Sequence, residues 1–358
     1  MKITVPTIDF GTSKIVTMVA QSNGERCDIV GSGAVPYSGY LQDGWNNPDE
    51  IRDVIRTAID QAQKTGNCRI HELNVGVPGM FTRVIVKEVH VSLTGPDPHV
   101  TAQDVRACFK LAEESGGDRI IHSAPAWFRV DDGKKTLSPV GIKGRELSAM
   151  IALVTADKYF IDDITYRLRD MDIEPREFYS TVAGEATYAL SQDERDKTAM
   201  LIDIGYLCTD VMVMEGDALI FHKCLDIGGG HISADIAEQL NIPFPFVEEK
   251  IKQTYSFNST NQDETYVIPA TEDEPARTVR RDEVTPIIEA KVEEIAEAIN
   301  KALEEGGVKL GKWSNVYLTG GGLILNKGGK DFLAGKLHRI IREAQRTNNK
   351  MTLSLIHI

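Results

Sequence analysis

The sequence predicts an α/β protein whose second half repeats the plan of its first. The stretch IDFGTSKIVTMVA, residues 8–20, places an acid, a glycine and two hydroxyl residues between two apolar runs. A similar break returns in MLIDIGYLCTDVMVM, residues 200–214, again between strand-like runs. Glycine triplets add a third observation: 228–230 opens a helix pattern, and 320–322 follows a strand pattern. The length of 358 residues agrees with two or more domains, since one core seldom serves more than about 250–300 residues.

Taken in order, residues 3–9 and 14–20 predict a hairpin and 27–37 a third strand. Residues 47–66 carry helical periodicity, with Asn47 or Asp49 as cap and Gly66 as stop. Residues 72–93 are strand-rich. A second helix covers 101–117, with Thr101 at its N-cap. Strands at 119–130 and 146–156 flank a DDGK turn, and a helix follows at 157–173. Residues 178–190 form a helix or a helix start. The second half opens on a hairpin over 198–228 and a glycine-opened helix at 229–240. Residues 258–278 are polar and read as a loop. The pattern at 281–307 is one long amphipathic helix, for which a core-facing stripe is sufficient explanation. Residues 313–325 form a buried strand running into a glycine turn.

Composition excludes some functions. The chain is 42% hydrophobic and 26% charged, with a formal net charge of -13. A nucleic-acid-binding face is not expected, because phosphate backbones require clustered Lys and Arg. A small phosphate ligand remains compatible, since local backbone N–H groups can hold it. The five cysteines, Cys27, Cys68, Cys108, Cys208 and Cys224, form no CxxC pair and suggest reduced thiols in a cytoplasmic protein. The N-terminus enters a strand pattern at once, without a signal-peptide pattern, and no apolar run is long enough to span a bilayer.

The chemistry lies in the two breaks. In Asp9-Phe10-Gly11-Thr12-Ser13-Lys14 a strand ends on a carboxylate, and a glycine permits a tight turn. Small residues then present N–H and O–H groups that can cradle phosphate oxygens, while the acid holds Mg²⁺ through water. Alone, such a stretch is an ordinary hairpin turn. Asp203-Ile204-Gly205 with Thr209-Asp210 is its second copy. Each charge-assisted hydrogen bond contributes roughly 1.5–3 kcal/mol, and micromolar affinity needs about 8 kcal/mol net. One tip falls short of that, whereas two tips with Mg²⁺ reach it. The glycine triplets fit neither GxGxxG after a first strand nor GxxxxGK[ST].

The order of these parts resembles the actin-like ATPase superfamily, and most closely the bacterial cell-division family FtsA. IDFGTSKIVTMV resembles the first phosphate motif of that family. SPVGIKGRELSAMIALVTA resembles the end of its inserted subdomain, VEEKIKQTYS its nucleoside helix, and EVTPIIEAKVEEI and VYLTGGG later segments. The resemblance implies an actin-like, duplicated ribonuclease H-like α/β fold with an inserted small α+β subdomain. Its parts would be a first lobe at 1–80 and 155–198, an SHS2-like insert at 81–154, and a second lobe at 199–352.

The resemblance also implies roles. Gly11, Thr12, Ser13 and Lys14 would line the phosphates of ATP, with Gly205 and Thr209 in the second loop. Asp9 and Asp203 would hold Mg²⁺-bound water. Glu185 would lie near the attacking water. Glu249 and Lys252 would flank the nucleoside, although without the family an i,i+3 surface pair is the better reading. Gly229, Gly230, Gly320, Gly321 and Gly322 would pack against the nucleoside. The implied partners are an FtsZ-like tubulin homologue, further copies of the chain in filaments, and later division proteins through 81–154. The implied location is the inner face of the cell membrane, given a C-terminal anchor. A PilM-like pilus scaffold and a sugar or acetate-type kinase are the alternatives.

Two departures matter. Tyr206-Leu207-Cys208 replaces glycines and a Thr. A turn requiring positive φ there would be strained by roughly 1–2 kcal/mol, and the bulk would crowd the attacking water. Nucleotide binding with at most slow hydrolysis is therefore expected. The family's final strand, helix and amphipathic anchor are not read after residue 340. The second lobe is thus expected to be truncated, and 353–358 to be either a non-native tail encoded by adaptor sequence or a short strand.

Overall fold

The computed structural model describes residues 3–22, 27–41, 44–117, 119–261, 263–270, 275–311 and 314–344. The tail at 353–358 lies outside them. By packing, the described residues of 3–200 and 212–222 form one compact unit, and those of 201–211 with 223–344 form another.

The first unit begins with β1 (Ile3–Phe10), β2 (Lys14–Ser22) and β3 (Cys27–Pro36), then the short pair β4 (Tyr40–Leu41) and β5 (Gly44–Trp45). Helix α1 (Ile51–Gly66) and β6 (Glu72–Val77) follow. The next segment comprises β7 (Thr82–Ser92), α2 (Ala102–Glu114), β8 (Ile120–Val130) and β9 (Glu146–Ala156). The chain then returns through α3 (Lys158–Arg169), β10 (Glu174–Ser180), α4 (Thr181–Ala189) and α5 (Gln192–Arg195). The remainder contains β11 (Ala199–Ile204), β12 (Thr209–Glu215), β13 (Ala218–Leu225), α6 (Gly229–Gln239), α7 (Phe244–Phe246) and a π-helical turn at Val247–Lys252. It ends with β14 (Thr265–Ile268), β15 (Arg277–Arg280), α8 (Arg281–Glu305), β16 (Asn315–Thr319), α9 (Gly329–Leu337) and β17 (Ile341–Glu343).

The duplication is visible in the sheets. One runs β10-β6-β1-β2-β3 and the other β13-β12-β11-β16-β17. Each therefore places its strands, in chain order, as third, second, first, fourth, fifth. In the first sheet β1, β2 and β3 pair antiparallel, while β6 pairs parallel with β1 and β10. In the second, β16 and β17 are parallel, joined by α9. Parallel neighbours require such crossovers, and antiparallel ones need only turns. The insert has its own antiparallel sheet, ordered β7-β9-β8. On one face Cys108 and Ala112 of α2 meet Phe128, Leu147, Ile151 and Leu153. On the other, Trp127 and Ala152 pack with Ala218 from the β12–β13 turn.

The first unit's core centres on Phe10, Trp45, Phe81 and Phe160, with ring centroids 4.9 to 6.0 Å apart. Helix α1 lies close on β3 because Gly31 and Gly33 lack side chains. A Cβ on Gly31 would sit 2.5 Å from the Ala62 carbonyl oxygen, and one on Gly33 would overlap the Ala58 carbonyl. Gly33→Ala is therefore expected to lower stability by about 1–3 kcal/mol, the usual range for overpacking. A denaturant midpoint equal to wild type would contradict this close approach.

Four sequence expectations change. The N-cap of α1 is Glu50, not Asn47 or Asp49, and its carboxylate instead accepts the Ser38 N–H at 2.7 Å. The left-handed residue closing α1 is Asn67 rather than Gly66. The polar stretch 258–278 contains β14, which pairs antiparallel with β15. Beyond residue 340 a further strand, β17, is present. Thr101 caps α2 as expected, in a capping box with Asp104.

Candidate functional site

Both Asp–x–Gly breaks fold into the same turn. The Gly11 N–H donates to the Lys14 carbonyl at 3.1 Å, and the Gly205 N–H to the Cys208 carbonyl at 2.9 Å. A Cβ on Gly11 would meet only that Lys14 oxygen within 4 Å, and one on Gly205 only the Cys208 oxygen. The outer edge of each turn is thus uncrowded, as close approach by a phosphate requires. Residues 204–209 include no positive φ. Tyr206-Leu207-Cys208 therefore carries none of the strain expected for non-glycine residues there.

In the first unit the turn is held from behind. The Tyr37 hydroxyl donates to the Gly11 carbonyl at 2.8 Å, and the Tyr40 hydroxyl to the Phe10 carbonyl at 3.0 Å. Thr12 is buried, and Ser13 accepts the Tyr37 N–H through its carbonyl. Lys14 is half-buried, and its ammonium is pushed below the ordinary lysine range by desolvation. Asp9 ends the first arm beside Gly76 of β6, where a Cβ would lie 2.8 Å from Thr181 Cγ2 and 3.3 Å from Asp9 Oδ1. Thr181 opens α4 and donates its hydroxyl to the Val77 carbonyl at 3.0 Å. Helix α4 then carries Glu185, half-buried, one turn further on.

Burial raises the Asp9 carboxyl above its ordinary range, partly offset by the Phe10 N–H. The sign follows from linkage. A raised folded-state value means stability is greatest at low pH and falls as pH rises through the unfolded value of 3.8. Burial thus disfavours the ionised form of Asp9, a cost that a dication would relieve. Asp9→Asn is accordingly expected to raise the melting temperature at pH 7 while weakening Mg²⁺-dependent ligand binding. A lowered melting temperature without ligand would contradict this.

In the second unit two glycine segments converge on residues 204–206. The Gly229 N–H donates to the Gly205 carbonyl at 2.8 Å, the Gly230 N–H to Tyr206 at 2.7 Å, and the Gly322 N–H to Ile204 at 2.8 Å. A Cβ on Gly229 would overlap Gly322, so the two triplets touch backbone to backbone. Gly320 has φ +88°, and a Cβ on it would overlap Asp203 Oδ1 and the Ile204 carbonyl. Gly321 is exposed, between two buried glycines. Thr209 is fully buried, with its hydroxyl donated to the Ile227 carbonyl at 2.7 Å. That hydroxyl ties the start of β12 to the segment between β13 and α6.

Lys252 reaches the same cluster. Its ammonium donates to the Gly229 carbonyl at 2.7 Å and to Glu248 at 3.2 Å, and it lies 5.7 Å from the Tyr206 ring centroid. Desolvation lowers its affinity for a proton, with Glu248 opposing. The i,i+3 pair expected of Glu249 and Lys252 is thus replaced by an i,i+4 pair with Glu248, and Glu249 is exposed. Sequence reading missed Asn326, whose amide donates to the Lys252 and Tyr255 carbonyls at 2.6 and 3.1 Å. It also missed Gly76, which acts through close backbone approach, and Tyr37 and Tyr40, whose hydroxyls reach the turn from distant positions; none carries a local pattern.

Hard oxygen donors on Asp9 and Asp203 suit Mg²⁺, and the uncrowded turns suit phosphate. Each turn, taken by itself, therefore carries donors of the kind that hold Mg²⁺ and phosphate.

Two family models match the chain: "Cell division protein FtsA" over residues 200–322 and "SHS2 domain inserted in FTSA" over 79–155. Among curated proteins, the cell division protein FtsA of Pseudomonas aeruginosa is 26% identical over 320 residues, spanning 88% of this chain and 76% of that protein. FtsA of Bacillus subtilis is also 26% identical, over 84% of this chain and 70% of its own length. Solved structures give the same fold. The PilM–PilN type IV pilus biogenesis complex aligns with a TM-score of 0.61 and 17% identity, covering 95% of this chain and 87% of the other. MreB5 of Spiroplasma citri bound to ADP aligns at 0.56 and 11%, covering 96% and 92%.

Proposed function

From a chain that is an FtsA-like member of the actin-like ATPase superfamily, we propose a nucleotide-binding scaffold of bacterial cell division. The observation that carries the nucleotide reading is the repeated turn: the Gly11–Lys14 and Gly205–Cys208 hydrogen bonds are alike, each one residue past an Asp-containing strand end. In this reading Gly11, Thr12, Ser13, Lys14 and Gly205 contact the phosphates of ATP. Asp9 and Asp203 hold Mg²⁺ through water, which screens phosphate charge. Lys252, Glu249 and the glycines at 229–230 and 320–322 face the nucleoside. Thr209 braces the second loop, and Glu185 orients water.

Hydrolysis is slow at most, because Tyr206 and Leu207 add bulk where small residues would leave room for water. Nucleotide state then biases self-assembly. The insert, residues 81–154, offers the contacts for neighbouring copies and later division proteins. An FtsZ-like tubulin homologue is the proposed ring partner, at the inner face of the cell membrane. No helix among the described residues is long and apolar enough to cross a membrane. The likeness to the PilM–PilN complex is one of fold and does not favour pilus assembly.

Sedimentation tests the scaffold reading. The purified chain is spun with Mg·ATP, Mg·ADP or no nucleotide, alone and with a purified FtsZ-type protein. ATP-dependent pelleting and co-pelleting are expected. A chain that stays in the supernatant throughout overturns the scaffold reading. Rapid phosphoryl transfer to a sugar or to acetate would replace it with a kinase.

A further inference from the structure

Beside the second phosphate turn lies a group of side chains that nucleotide binding does not use. The Sγ atoms of Cys208 and Cys224 and a carboxylate oxygen of Asp210 all lie within 4.8 Å of one another. Their placement follows from the hairpin. Cys208 immediately precedes β12, and Asp210 is its second residue. Cys224 comes from β13, the hydrogen-bonded neighbour of β12. Cys208 is buried, while Asp210 and Cys224 are half-buried, so the group has a closed side and a side toward solvent.

We propose that Cys208, Cys224 and Asp210 form a binding site for a thiophilic divalent cation, with Zn²⁺ as its natural occupant. A tetrahedral Zn²⁺ takes thiolate sulfur at about 2.3 Å and carboxylate oxygen at about 2.0–2.2 Å. Three such donors lie within about 4 Å of each other, so side-chain adjustment alone brings this trio into range. Two sulfurs and one oxygen select a soft cation over Mg²⁺, which demands oxygen and octahedral geometry. Binding forms two metal–sulfur bonds and releases the two thiol protons to solvent. The fourth position, on the half-exposed side, is left to water. Buried cysteines pack well as small apolar groups, but apolar packing does not select a carboxylate beside both thiols. The site is separate from the proposed Mg²⁺ ligands and does not depend on nucleotide binding.

Cobalt reports such sites directly. The untagged full chain, stripped with chelator and reduced, is titrated with Co²⁺. One equivalent is expected to bind, with a strong near-ultraviolet thiolate-to-cobalt band and visible bands of tetrahedral intensity, both bleached by Zn²⁺. Cys208→Ser and Cys224→Ser should each abolish the sulfur band. Asp210→Asn should weaken binding by more than about 10-fold, and Cys27→Ser should leave it unchanged. A second measurement needs no variant: Zn²⁺ should slow alkylation of Cys208 and Cys224 in the wild-type chain, read by mass spectrometry, and not that of Cys27. No cobalt band at millimolar cation overturns the proposal. So does a band that survives loss of both cysteines. So does a Cys208–Cys224 disulfide in a chain whose reduced form binds no cation and shows no protection.

Discussion

Gly320→Ala is expected to unseat the second phosphate hairpin and to remove nucleotide binding. Two separate costs fall on one atom. The backbone at Gly320 sits at φ +88°, a region a residue with a side chain enters at a cost of roughly 1–2 kcal/mol. The added Cβ would also overlap Asp203 Oδ1 and the backbone carbonyl of Ile204, which cannot turn aside as a side chain can. Overpacking of this kind costs about 1–3 kcal/mol more. Relief requires moving β16 away from β11, which breaks the Gly322 N–H bond to Ile204 and displaces Asp203. The expected readout is a lower thermal midpoint together with lost Mg·ATP affinity. An alanine variant that unfolds like wild type and still binds nucleotide would show that this turn is not where the glycine matters.

Phe160→Ala is expected to lower the stability of the first unit by about 3–5 kcal/mol, the range for truncating a buried aromatic. Phe160 is fully buried and lies against three rings: Phe10 edge-on at 5.5 Å, Trp45 at 5.9 Å and Phe81 stacked at 4.9 Å. These neighbours come from separate segments, so the cavity cannot close by a single local movement. Phe10 stands between Asp9 and Gly11, and its carbonyl accepts the Tyr40 hydroxyl. Loosening the cluster therefore reaches the first phosphate turn, and nucleotide affinity should fall with stability. Urea unfolding followed by fluorescence checks the size. A loss below about 1 kcal/mol would mean that the site collapses freely, contrary to the packing described.

Much of the fold was legible because the strongest signals are local. The two Asp–x–Gly breaks interrupt long apolar runs, and although one alone reads as an ordinary hairpin turn, the repeat marks the duplicated plan. The capping box at Thr101 and Asp104 is likewise a three-residue pattern. What escaped was decided by distant partners. Glu50 replaced Asn47 and Asp49 at the start of α1, with Ser38, twelve residues away, taking its carboxylate. Strands β14 and β15 are four residues each, and their buried Tyr266, Ile268 and Val279 are diluted by polar neighbours. In β17 only Ile341 is buried, so no periodicity could mark it.

The site was legible in the same uneven way. The glycine triplets were expected to pack against a nucleoside; that Gly229 and Gly322 also lie backbone to backbone was not legible in the sequence. For the lysine of the π-helical turn, the acidic partner expected from the sequence was one residue off. Glu248 and Glu249 are adjacent and alike in sequence, and only the phase of the turn decides which one reaches Lys252. The thiol pair is the converse case. Cys208 and Cys224 are sixteen positions apart without a recognisable motif, and the hairpin between them brings them together.

Calorimetric titration of Mg·ATP into the wild-type chain and Asp203→Ala is the most direct test of the central claim. Saturable one-to-one binding is expected in the wild type, lost with EDTA and abolished in the variant, whose fold is checked by circular dichroism. Equal affinity in the two folded proteins, or no binding to the wild type at all, would contradict the assignment of these paired turns to a magnesium nucleotide.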